Sequence, residues 1–167
     1  MKKFWILLPV ILLLTGCKAQ ETFETMDDVY VQPADVPAQR VVLALPEEAA
    51  MPAMESDVSG KLYLCDGYTV TVQTLQAGDL NSTIKETTGF SRDALDVITT
   101  SKAGLSRYEC VWTAAGETGD QVGRAVVLDD GNYHYVVCIM GDAAIAGDMN
   151  KTWNEILTSF SLADTGA

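Results

Sequence analysis

The chain is short of positive charge, of histidine and of long apolar runs, and each shortage excludes something. Its 167 residues hold 11 lysines and arginines against 23 acidic residues, a formal net charge of −12. A field of that sign repels phosphate backbones, so nucleic acid is not an expected partner. The longest apolar stretch, residues 4–14, falls well short of the roughly 20 residues that cross a hydrocarbon core. Histidine occurs once, at His134, and cysteine four times without a Cys-x-x-Cys pair. The spacings of Cys65, Cys110 and Cys138 match no zinc-ligand pattern. Also missing are a Gly-x-Ser-x-Gly elbow, a phosphate loop and a dinucleotide fingerprint. No metal, no cofactor and no named reaction is therefore expected.

What is present begins at the first residues. Lys2 and Lys3 precede the apolar stretch, which only Pro9 interrupts, and Leu14-Thr15-Gly16-Cys17 closes it. Lys18, Gln20 and Glu21 follow at once, so the apolar character stops abruptly. A basic start, a short apolar core and small residues before a boundary form an export signal. Leu-Thr-Gly-Cys at this distance from the start resembles the lipobox of bacterial lipoproteins. The resemblance implies that residues 1–16 are cleaved and that Cys17 carries a thioether-linked diacylglycerol. It also implies an exported protein, held by lipid on the outer face of the cell membrane or at the outer membrane. Two acyl chains suffice, since each buried methylene contributes roughly 0.8 kcal/mol. Losing Lys2 and Lys3 leaves nine basic residues and a net charge of −14. That charge repels anionic headgroups, so the lipid rather than the protein surface supplies the anchor.

The segment behind the cysteine differs from the rest of the chain. Pro33, Pro37, Pro46 and Pro52 lie there, and no proline follows. Between residues 17 and 60 nine acidic side chains face only Lys18 and Arg40. Acidic, proline-marked sequence buries too little apolar surface to order itself. Residues 17–39 read as a flexible acidic tether with a reach of roughly 25–30 Å by random-coil scaling. Residues 40–60 are ambiguous, because the β-branched run 40–45 between Pro37 and Pro46 reads as an edge strand.

From there to residue 164 the pattern is that of a single domain. Residues 62–65 and 68–72 read as strands around Asp66-Gly67, a tight-turn signal. Asp79 caps a short helix that Gly89 stops. Residues 94–100 read as a strand, although they also permit a helix, and 105–113 alternate so that Tyr108, Cys110 and Trp112 share a face. Residues 122–140 form a hairpin around Asp129-Asp130-Gly131-Asn132. Trp153, Ile156, Leu157 and Phe160 make one apolar stripe on a closing helix from about residue 148, with Asp148 or Asn150 as cap. A sheet face and a helix stripe bury each other. The expected class is α+β: an antiparallel sheet of about five to seven strands with the C-terminal amphipathic helix packed across it. The element order and the closing Trp153-Asn-Glu-Ile-Leu-Thr-Ser-Phe160 resemble PsbP-like domains. That resemblance implies an accessory or binding protein and lends no catalytic residues.

Candidate sites are few. Cys65, Cys110 and Cys138 sit in apolar strands and read as buried thiols, with one disulfide as the alternative. His134 shares a strand face with Val136, Cys138 and Met140, a structural setting. Asp129 to Asn132 suit a turn better than a calcium loop, since the twelfth position is Met140. Tyr133 and Tyr135 are the candidate ligand or partner surface. The expected function is a membrane-anchored, cell-envelope lipoprotein whose domain binds or assists without catalysis. Its expected partners are the membrane, through Cys17, and an envelope protein or a small ligand. The alternatives are a small envelope enzyme using His134 or a reactive cysteine, and a small-ligand-binding lipoprotein.

Overall fold

The alternation read along the second half of the chain belongs to the long strands of one antiparallel sheet. The computed structural model describes residues 36–49, 51–56, 60–117 and 119–163. The leader, Cys17 and the tether up to residue 35 lie outside the described residues. In chain order the elements are β1 Val41–Val42, β2 Met54–Ser56, β3 Gly60–Leu64, β4 Tyr68–Gln76, α1 Leu80–Thr88 and β5 Val97–Lys102. There follow β6 Leu105–Ala115, β7 Asp120–Asp129, β8 Tyr133–Asp142, α2 Ala146–Ser159 and β9 Ser161–Leu162. Strands β2 to β8 form a seven-stranded sheet in the order β2-β3-β4-β8-β7-β6-β5, while β1 pairs with β9 in a two-stranded ribbon. The class is α+β, as expected, and the ambiguous 40–45 run supplies β1.

Period-two patterning decides which side chains face which helix. Tyr68, Val70, Val126, Leu128, Tyr135, Val137 and Ile139 share one buried cluster with Trp153, Ile156, Leu157 and Phe160. The predicted helix stripe is therefore the one that α2 lays on the sheet. Burying each such side chain is worth roughly 1.5–3 kcal/mol. The opposite face carries His134, and α1 packs there against β7 and β8. A second cluster on that face joins Cys110, Trp112, Ala125 and Cys138.

Two glycines make room for tryptophans. A Cβ on Gly123 would lie 2.2 Å from the Trp112 ring, which crosses the β7 backbone at its register partner. A Cβ on Gly141 would lie 2.7 Å from Trp153. Gly141 is thus a residue of β8 lying beneath α2.

Local signals hold at α1. The Asp79 side chain accepts from the Asn81 amide at 3.2 Å and from Ser82 Oγ at 3.0 Å, and Gly89 ends the helix at φ 80°. Two boundaries differ from the sequence reading. Helix α2 begins at Ala146 behind Ile145, which makes no side-chain cap, so neither Asp148 nor Asn150 caps it. The reason is upstream: Asp142 ends β8, accepts the Ala144 amide at 2.8 Å and turns the chain directly into the helix. Strand β5 starts at Val97, because Arg92–Ala94 form a 3-10 turn with the Arg92 guanidinium 5.7 Å from the Tyr108 ring centre. No helix among the described residues is long and apolar enough to cross a membrane.

Candidate functional site

The β7–β8 turn does more than reverse the chain. Gly131 adopts φ 87°, and Asp129 Oδ1 accepts its amide at 2.8 Å. Asp130 Oδ1 accepts the amides of Asn132 and Tyr133, at 2.9 and 2.8 Å. Its Oδ2 accepts the Tyr135 hydroxyl at 2.9 Å and Gln39 Nε2 at 3.1 Å. Tyr135 Oη in turn accepts the Gln39 amide at 2.9 Å, and the Tyr133 hydroxyl donates to the Val36 carbonyl at 3.0 Å. The candidate surface tyrosines are thus the clamp that seats residues 36–39 on the domain. Tyr135 is wholly buried, and burial is the main reason its phenol is pushed up to about 12. Burial also pushes the Asp130 carboxyl up, but its four hydrogen bonds outweigh that and leave it below the ordinary carboxylate value.

Beside the clamp lies a groove of about 880 Å³, walled by Gln39 and Asp130 on one side and by the β5–β6 hairpin on the other. Leu105, Leu128, Phe160 and Leu162 form its apolar floor, with Lys102 and Arg107 as its cations. Tyr133 and Tyr135 do not line it. Arg107 is already engaged. Its Nε pairs with Glu109 at 2.6 Å, and its other nitrogens donate to the Leu157 and Phe160 carbonyls at 2.8 and 3.3 Å. Those carbonyls end α2 and have no helical partner of their own, so the guanidinium closes the helix. With Asp130 and Arg107 so occupied, the exposed Lys102 is the lining cation not committed to the fold. Lys102 forms no ion pair among the described residues.

His134 stands in a row that resembles a catalytic relay on paper. Thr83 Oγ1 lies 2.8 Å from His134 Nδ1, and Asp129 Oδ2 lies 3.9 Å from His134 Nε2. The second distance is too long for a hydrogen bond. Moreover, His134 is 1 % exposed and Thr83 7 %, so a substrate has no route to either. The arrangement satisfies a buried imidazole and ties α1 to the sheet.

Cys110 and Cys138 are buried free thiols, and Cys65 is half-buried. Cys110 faces Ala125, which faces Cys138, so the two stand two strand spacings apart, roughly 9–10 Å. A disulfide needs Cα atoms within about 7 Å. Burial pushes Cys110 up to about 11 and Cys138 up to about 12, so neither offers a thiolate near neutrality. Cys17 lies outside the described residues. Sequence reasoning missed Gln39, Lys102, Arg107 and Asp130 as groove residues, since only the folded sheet brings residues 39, 102 and 130 to one end.

No family model and no curated protein matches the chain. Its fold resembles three solved structures at low identity. A protein of unknown function from Pseudomonas aeruginosa is 13 % identical with a TM-score of 0.47, over 80 % of this chain and 90 % of its own. A point mutant of the protein Mog1 is 12 % identical with a TM-score of 0.48, over 75 % and 92 %. LpqN of Mycobacterium tuberculosis, a protein involved in cell envelope biogenesis, is 10 % identical with a TM-score of 0.46, over 77 % and 86 %. Likenesses this distant carry no argument about site or activity.

Proposed function

We propose that the chain is a cell-envelope lipoprotein, anchored through lipid on Cys17, whose α+β domain binds or assists a partner without catalysis. The observation that carries the anchor is Leu14-Thr15-Gly16-Cys17 behind eleven largely apolar residues. The observation that supports a binding task is the open groove, whose carboxylate and guanidinium are already committed to holding the fold. The residues that a hydrolase or redox reading would use lend it little. Thr83 of α1 and His134 of the sheet are buried against each other, and burial holds the Cys110 and Cys138 thiols protonated. The clamp of Tyr133, Tyr135 and Asp130 gives residues 36–39 a fixed seat, which supports a defined start of the domain behind the anchor. Cys17→Ala is the direct test. The parent chain is expected in the membrane fraction of its native cell and the variant in the soluble fraction. Equal membrane recovery of both would defeat the anchoring proposal.

A further inference from the structure

The two edges of the seven-stranded sheet are built differently. β2 is three residues long, follows Pro52 closely, and has Glu55 paired to Lys61 at 2.9 Å. Short length, proline and charge are the devices by which natural sheets keep an edge from recruiting another strand. The opposite edge, β5, has almost none of them. It runs six residues without proline, and no charge occurs between Val97 and Ser101. Every residue from Ile98 to Lys102 is exposed, Ile98 by 66 %. Val111, on the same face of the adjoining strand, is 55 % exposed.

Charge at the two ends of β5 selects an occupant. Asp96 precedes the strand and Lys102 ends it, both exposed and neither in an ion pair among the described residues. An identical edge laid antiparallel across a two-fold axis normal to the sheet keeps like faces together. This holds only when paired residues are an even number apart, because successive side chains alternate faces. One such register sets Thr99 against its own copy, Ile98 against Thr100 and Asp96 against Lys102. Both ends of β5 then gain an attractive pair, and the centre gains a threonine–threonine pair of the favourable cross-strand kind. We propose that β5 is a self-association edge on which a second copy of this chain pairs in that register, joining two sheets into one. Every strand pair already in the sheet is antiparallel, so the added pair continues its geometry.

Site-specific cross-linking and charge reversal test this on the full chain in detergent. Thr99→Cys stands on the axis, where opposed Cβ atoms lie roughly 4.5–5.5 Å apart, and is expected to give a disulfide-linked dimer under mild oxidation. Ser101→Cys is displaced from its copy by four residues, roughly 13 Å along the strand, and is expected to stay monomeric. Sedimentation equilibrium supplies the second arm. Lys102→Asp turns two attractive pairs repulsive and is expected to weaken the dimer about tenfold. The double variant Asp96→Lys with Lys102→Asp restores attraction and is expected to recover the parent affinity. Three results would overturn the proposal: equal cross-linking at 99 and 101, a parent monomeric at all concentrations, or a dimer indifferent to Lys102→Asp. The pairing does not depend on the lipid, so its failure leaves the anchoring proposal standing, and the reverse holds too.

Discussion

Removing the Asp130 carboxylate probes how the chain is seated on the domain. Its two oxygens accept four hydrogen bonds between 2.8 and 3.1 Å, two from turn amides and two from Tyr135 and Gln39. A bond to a charged acceptor contributes roughly 1.5–3 kcal/mol. The turn amides of Asn132 and Tyr133 lie near the surface, where water replaces the lost acceptor. Tyr135 is fully buried, so its hydroxyl keeps no such substitute. Asp130→Ala is therefore expected to destabilise the domain by about 2–4 kcal/mol. Asp130→Asn keeps one acceptor but sets an amide donor toward Gln39 Nε2 or Tyr135, and is expected to cost about 1–2 kcal/mol. Urea unfolding of the full chain reads both, and exchange at the Gln39 amide reports the local release. The sign with pH follows from the carboxyl lying below its ordinary value when folded. Its contribution is complete above the unfolded value near about 3.9 and fades as pH falls through the lower folded value. Asp130→Asn should flatten that acid limb. An alanine variant within about 0.5 kcal/mol of the parent, or an unchanged acid limb in the asparagine variant, would refute the clamp.

Three further outcomes follow from packing and burial. Gly123→Ala and Gly141→Ala each drive a methyl into a tryptophan ring and should cost roughly 1–3 kcal/mol, with an altered near-ultraviolet signal from Trp112 or Trp153. Cys110 and Cys138 should resist a thiol reagent at neutral pH in the native chain and react only on unfolding. Thr83→Val strips the buried imidazole of its partner and should cost roughly 1–3 kcal/mol in urea unfolding.

The legible parts of the fold were those whose signals are local. Strand alternation at Tyr68, Val70 and Val72, the Asp79 and Gly89 helix ends, and the Trp153-to-Phe160 stripe all depend on near neighbours, and all stand in the structure. What escaped depends on partners distant in sequence. Asp129 to Asn132 read correctly as a turn, yet the role of Asp130 lies in Gln39, 91 residues away. Gly123 and Gly141 carry no local signal for their role, because strand pairing brings Trp112 and helix packing brings Trp153 over them. Tyr133 and Tyr135 were singled out as a surface on their chemistry alone. Their hydroxyls reach residues 36–39 instead, a destination that no periodicity encodes. The β5 edge was equally hidden, because an edge exists only once strand order is known.

The proposed anchor is lipid on Cys17, holding this domain at the envelope. Intact-mass analysis of the chain recovered from its native membrane tests it most directly. The expected product is a chain beginning at Cys17 and heavier than its residues by a thioether-linked diacylglycerol, with or without a further acyl group. A chain that retains residues 1–16, or one that begins at Cys17 with an unmodified thiol, would contradict it.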